Sequence, residues 1–339
     1  MRLLLTMAAV SCLAAGQAVA EPFRAASVEV KNAAALLTVT PEDRTDAEAT
    51  VAAGARLPAP TLRLEGDRLV VDGGLRVEGC GGWFQTGRRS SVRVAGHGAI
   101  APDNLQRITL HVPRSLNLSV AGGVHSTIGA SQGGRVALGG CGRTEMAEAH
   151  GPLDLTLNGA GDVRVGAVSG PLNAALNGSG DIAVARAGAD ATLRLSGSGD
   201  LGVGDVAGVL DARLLGSGDV RAGAAAGAQL ALNGSGNVSV TSVRGPLVAR
   251  LDGSGDIAVH SAQSPNMDLE LSSSGDVSVR AGHAEALRVV NTGSGSISFA
   301  GRAEVSRLSV SGSGDVSVAN AGRIDSLSDS GSGGIHVGK

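Results

Sequence analysis

Apolar residues alternate with polar or small ones along most of this chain, and from residue 153 onward the alternation itself repeats. Leu153, Leu155 and Leu157 share one parity, Gly159 and Gly161 follow, then Val163 and Val165. The next copy reads Leu172, Ala174, Leu176, Gly178, Gly180, Ile182 and Val184. A period of two places one set of side chains on each face of an extended chain. Each copy therefore predicts two short strands meeting at a glycine corner, closed by a turn such as Ala167-Val168-Ser169-Gly170-Pro171. No segment sustains a helical period over about a dozen residues.

The corner is the recurring sequence Gly-Ser-Gly-Asp followed by an aliphatic residue. Its acidic position falls at Asp162, Asp181, Asp200, Asp219, Asn237, Asp256, Asp276, Ser296, Asp315 and Gly334. Asp162 and Asp315 lie 153 residues and eight steps apart, about 19 residues per step. Gly140-Cys141-Gly142-Arg143 and Ala121-Gly122-Gly123-Val124 extend the register backwards with degenerate letters. A unit this short cannot bury an apolar face alone, so copies must stack, with equivalent strands about 4.8 Å apart. The pattern predicts an all-β fold: a right-handed, single-stranded parallel β-helix in which Leu stacks on Leu and Val on Val. Twelve such coils would rise about 55–60 Å. A β-propeller fits less well, because its blades need about 40–50 residues and pairs of repeats show no two-fold alternation.

Earlier in the chain, strands read without that register, at Ser27-Val28-Glu29-Val30, Thr61-Leu62-Arg63-Leu64, Ser91-Val92-Arg93-Val94 and Ile108-Thr109-Leu110-His111-Val112. Three divisions follow: a leader at 1–20, an irregular β segment at 21–118 that caps the first coil, and regular coils at 119–339. The leader has Arg2, an apolar stretch from Leu3 to Ala15 and an Ala18-Val19-Ala20 cleavage site. That stretch is too short to span a bilayer, which takes about 20 residues. A lipoprotein signal at Cys12 lacks the leucine usual before it. The chain is thus expected to be exported, to the periplasm, the cell surface or the medium.

Composition narrows the chemistry. Aromatic content is 1%, limited to Trp83, Phe23, Phe84 and Phe299, so the core must be built from small aliphatic layers. The formal net charge is −3, and removing the leader subtracts only Arg2, which leaves no electrostatic footprint for nucleic acid. Export places Cys80 and Cys141 in an oxidising compartment, where a Cys80–Cys141 disulfide is expected.

The periodic Asp ladder invites a cation-binding reading, as in calcium-loaded β-rolls. Those rolls use a nine-residue repeat with one residue between glycine and acid, whereas here acid follows glycine directly. The ladder is expected to cap turns in water, where neighbouring carboxylates about 5 Å apart repel by only about 1 kcal/mol. His97, His111, His125, His150, His260, His283 and His336 are scattered without ligand or triad spacing. No catalytic, metal or cofactor residues are assigned. Asn117, Asn177, Asn233 and Asn237 open glycosylation-type sequons, a pattern expected by chance in so Ser-rich a chain.

The chain resembles the head GIN domain of putative autotransporter adhesins, a bacterial envelope family. The resemblance is carried by Gly178-Ser179-Gly180-Asp181-Ile182 and its copies. Leu110-His111-Val112-Pro113-Arg114-Ser115-Leu116-Asn117-Leu118 with Ala121-Gly122-Gly123 adds to it, as do Val28-Glu29-Val30 and Leu37-Thr38-Val39. It covers nearly all of the chain after the leader, and implies a β-helical fold and export but no catalytic residues. No membrane-barrel segment precedes Lys339, so self-translocation is not expected. The leading functional expectation is a non-enzymatic adhesin or envelope protein with an unidentified envelope or surface ligand. The alternative is a carbohydrate-active enzyme, with Arg88-Arg89 and His97 near acids. The final repeat, Ser330 to Val337, is expected to leave an open edge that pairs end to end with a partner.

Overall fold

The computed structural model describes residues 19–81 and 91–338. Most of the expected leader, together with Trp83, Phe84, Arg88 and Arg89, lies outside the described residues. Those described contain no α-helix and one short 3-10 turn, Pro102–Asn104.

The chain forms a β-solenoid of about 12 turns at ~19 residues per turn. Each coil pairs in parallel with the next. Leu153–Gly159 pairs with Leu172–Leu176, which pairs with Ala191–Leu195. On the other wall Asp162–Val168 pairs with Ile182–Ala187. The register holds Leu153 against Leu172 and Leu172 against Ala191, so every side-chain parity is preserved and one face stays interior.

The interior is dry and aliphatic, but one column differs from the simple stacking expected. Leu155, Ala174, Leu193, Ala212, Leu230, Ala249 and Leu269 alternate large and small, all at most 2% exposed. Pairing a large with a small residue on successive coils keeps the volume per pair of coils nearly constant, as a close-packed interior requires. The sequence thus does carry a two-coil alternation, and coil-to-coil register shows that it belongs to packing rather than to propeller blades.

Toward the N-terminus, stacking order and chain order separate. Ser27–Glu42 pairs in parallel with Leu116–Ile128 on one side and with Arg68–Asp72 and Gln106–Pro113 on the other. It is therefore wedged between segments that follow it in sequence. Ala47–Ala52 then pairs antiparallel with Gln106–Pro113, Val19–Phe23 with Ala47–Ala52, and Thr61–Glu65 with Arg68–Asp72. Buried Gln106 pins the region: Nε2 donates to Pro58 O at 2.8 Å and Gly73 O at 3.0 Å, and Oε1 accepts the Ala34 N–H. The expected cleavage after Ala20 falls inside Val19–Phe23.

A separate three-stranded antiparallel sheet, Val77–Gly81, Ser91–Val94 and Gly98–Ile100, lies against the flank. Its own small core gathers Ala34, Leu57, Leu75, Val92, Val94, Ile100 and Leu105. A Cβ on Gly123 would stand 2.4 Å from Val92 Cγ1, so that glycine is what admits the sheet. Cys80 and Cys141 are joined with Cα atoms 5.8 Å apart, tethering this sheet to an early coil across 61 residues of chain.

Candidate functional site

At each Gly-Ser-Gly-Asp corner the backbone must turn while staying bonded to the coil before it. The glycines serve close approach: a Cβ on Gly199 would lie 1.8 Å from Gly180 O, and on Gly197 1.7 Å from Gly178 O. Positive φ, by contrast, falls at other glycines, such as Gly122, Gly140 and Gly142 in the early coils, and at Asn32.

The acids have an equally local task. The Asp200 N–H donates to Asp181 Oδ1 at 2.8 Å, and the Asp219 N–H to Asp200 Oδ1 at 3.1 Å. The Asn237 N–H reaches Asp219 Oδ1 at 2.9 Å, and Asn237 Oδ1 in turn accepts the Asp256 N–H at 3.1 Å. The chain of caps continues through Asp276 to Ser296 at 2.7 Å. Two coils before Asp162 in the same column, His125 Nδ1 stands 3.1 Å from the Arg143 nitrogen and accepts its N–H. Each side chain thus supplies the acceptor that a carbonyl would supply in a strand. Where Ser296 replaces the acid, buried Asn291 braces the same corner from inside, bonding the Gly293 N–H and Gly295 O.

Ladder electrostatics differ from coil to coil. Arg221 bridges two rungs, with Nη1 to Asp200 Oδ2 at 2.7 Å and Nη2 to Asp219 Oδ2 at 2.5 Å. The Arg221 hydrogen bond holds the Asp200 carboxyl below the usual carboxylate range. Asp162 is pushed up, first by burial and then by the Asp181 charge. His125 is pushed down to about 4 by burial, with the Arg143 charge adding. Among the described residues no group of three or more His, Cys, Asp or Glu is arranged to hold a metal ion. Two other histidines, on distant strands, pair with single acids: His111, on Gln106–Pro113, meets Glu42 at 2.7 Å, and His283, on Gly282–Asn291, meets Glu304 at 3.0 Å.

A second feature breaks the repeat. Between the core positions Val206 and Leu210 lie three residues, and three also separate Val243 from Leu247, but only Ala226 and Gly227 separate Ala225 from Ala228. The strand register shifts at this point. One corner is therefore a residue short between full-length neighbours, and the flank is recessed there. The recess holds about 490 Å³ and is lined by Arg186, Gly188, Asp205, Val206, Ala224–Ala226 and Arg244. Sequence reasoning passed over it, although the signal was present: the Asp219-to-Asn237 step is 18 residues where its neighbours are 19.

Residues 238–337 match the family model described as putative auto-transporter adhesin, head GIN domain. The match lies wholly in the regular coils, whereas the earlier motifs at 28–39, 110–123 and 178–182 stand outside it. Coils before residue 238 pair in parallel with those inside the matched span. No curated protein matches the chain. Among solved structures, one described as a putative lipid binding protein from Parabacteroides distasonis ATCC 8503 aligns at 11% identity and a TM-score of 0.22, covering 95% of this chain and 97% of that one. Another, described as a putative adhesin from Bacteroides fragilis NCTC 9343, aligns at 16% identity and a TM-score of 0.18, covering 94% and 96%. Superpositions this poor carry no argument about this protein.

Proposed function

We propose that this is an exported, non-enzymatic β-solenoid that acts as an adhesin or as an interaction component of the cell envelope. The observation that carries the reading is the head GIN match over residues 238–337, set on an uninterrupted stack of coils. The disulfide fits an oxidising compartment. No helix among the described residues is long and apolar enough to cross a membrane. Residues 21–118 act as the cap of the solenoid, and the coils from 119 onward present the interaction surface.

The protein lacking its leader is expected to be retained by intact bacterial cells or envelope fractions and to turn over no polysaccharide. Reproducible turnover that is lost on changing one acid would replace this reading with a carbohydrate-active enzyme. The last described coil also offers a self-association edge, where Ile324 is 42% and Leu327 53% exposed. Light scattering is expected to show concentration-dependent association that Leu327→Lys abolishes. A protein that stays monomeric at high concentration would remove that part of the reading.

A further inference from the structure

We propose that the recess over the short corner, between Arg186 and Arg244, binds a segment of a carboxylated polysaccharide. This rests on the reading of the protein as a surface-interaction module and names the chemistry of its ligand. Arg186, Asp205 and Ala224 occupy one column on successive coils, and Arg244 follows on the coil after them. Three steps of about 4.8 Å place the two arginines about 14 Å apart along the solenoid axis. Both are exposed, and neither engages an acid, whereas Arg213, Arg221, Arg250 and Arg288 on other columns are each ion-paired. Two free guanidinium forks at that separation suit an extended ligand carrying carboxylates at intervals, each able to take two parallel hydrogen bonds.

The ground between the arginines selects further. Ala224 and Ala226, whose methyl groups face out between the buried Val206 and Ala225, make a low apolar floor on which a sugar ring can lie flat. Asp205 sits between them, one coil from Arg186 and two from Arg244, with Oδ1 committed to the Ala224 N–H at 2.8 Å. Its charge repels a carboxylate at that point, while its other oxygen can accept from a hydroxyl. The complement of the recess is therefore acid, hydroxyl, acid, which is the chemistry of a polyuronate. An extended acidic peptide is disfavoured, because peptides are held mainly through an open sheet edge. Here Val206, Ala225 and Val243 are already paired coil to coil. The chain's net charge of −3 opposes diffuse attraction of a polyanion, so binding has to be local.

The test is calorimetric titration of the leaderless full chain with polygalacturonate, a sulfated glucan, polyglutamate and a neutral glucan. Binding to polygalacturonate is expected, with Arg186→Ala and Arg244→Ala each weakening it roughly tenfold, the scale of a lost charge-assisted contact. Ala226→Phe fills the floor without changing charge and should weaken binding comparably. Arg194→Ala, an exposed arginine on another strand, should change it less than about twofold. Absence of polygalacturonate binding overturns the proposal, as does equal binding of polyglutamate or a loss shared by Arg194→Ala. Preference for the sulfated glucan overturns the carboxylate assignment. Retention on envelope fractions separates this proposal from the reading beneath it. If the Arg186→Ala, Arg244→Ala double variant is retained like the parent protein, the recess is not the site. If the parent is not retained although it binds polygalacturonate through the recess, the surface-interaction reading fails.

Discussion

The coils after residue 150 and the region before it reach the same parallel stacking by different means. In the later coils each strand pairs with the strand one repeat away, so every contact is specified by a short recurring sequence. In the earlier region Ser27–Glu42 is sandwiched between Gln106–Pro113 and Leu116–Ile128, contacts about 70 to 90 residues distant in the chain. Closing such loops costs conformational entropy before any contact is gained. That region carries the disulfide, the buried Gln106 clamp and the positive-φ glycines at 122, 140 and 142. Periodicity alone suffices for a stack whose neighbours are near in sequence, and cross-links substitute where they are far.

If so, breaking the cross-link should separate the two regions most strongly. Reduction, or a Cys80→Ser, Cys141→Ser double change, is expected to cost about 4 kcal/mol on the chain-entropy model. Hydrogen exchange should show the loss before residue 150 and leave the later coils protected. A uniform loss along the chain would erase the contrast. Non-reducing peptide mapping should recover Cys80 linked to Cys141.

Next in size are the glycines, whose two roles predict different penalties. Gly199→Ala drives a Cβ onto a carbonyl oxygen of the adjacent coil and should cost about 2–3 kcal/mol as the stack is forced apart. Gly66→Ala, at φ +65° with open space around it, should cost only about 1 kcal/mol through its left-handed backbone. Chemical denaturation compares the two, and equal penalties would contradict the close-approach account.

Smaller again is the cap. Asp219→Ala leaves the Asn237 N–H without its acceptor and should cost about 1 kcal/mol, while Asp219→Asn, which keeps an acceptor oxygen, should cost little. The subtlest contrast lies within the ladder. Asp200 is depressed by Arg221, so its contribution is present above the unfolded carboxylate value of about 3.9 and is lost as pH falls through its lowered folded value. Asp162 is raised by burial, so its ionisation removes stability as pH rises through its raised folded value. Carboxyl carbon titration by NMR should place Asp162 above Asp200, and Arg221→Ala should narrow the gap from the Asp200 side.

Much of the solenoid was legible in the letters, since alternation at Leu153, Leu155 and Leu157 and the corner at Asp162 recur in phase. The Leu155–Ala174–Leu193 alternation was equally present, but its meaning depends on which coil touches which, and only register settles that. The wedging of Ser27–Glu42 left no local trace, because a strand's sequence specifies its faces and not its partner. The ladder's acids were visible as a column, whereas their bonds to the next coil's N–H groups follow from the corner's geometry. The recess shows only as a missing residue, and locating that gap at Ala226-Gly227 required the strands on either side. Arg88 and Arg89, considered for the enzymatic alternative, lie outside the described residues, and His97 sits in the turn between Ser91–Val94 and Gly98–Ile100.

The central claim is that the repeated corner is a backbone device and that ligand recognition lies where the repeat breaks. The most direct measurement is thermal unfolding of the leaderless protein in excess chelator and in calcium, for the parent and an Asp181→Asn, Asp200→Asn, Asp219→Asn variant. The account expects the same midpoint in both conditions, because each ladder carboxylate already serves a neighbouring N–H. A cation held by the ladder at about 100 times its dissociation constant would add about 2.7 kcal/mol. A calcium-dependent rise in the midpoint that disappears in the triple variant would contradict the account.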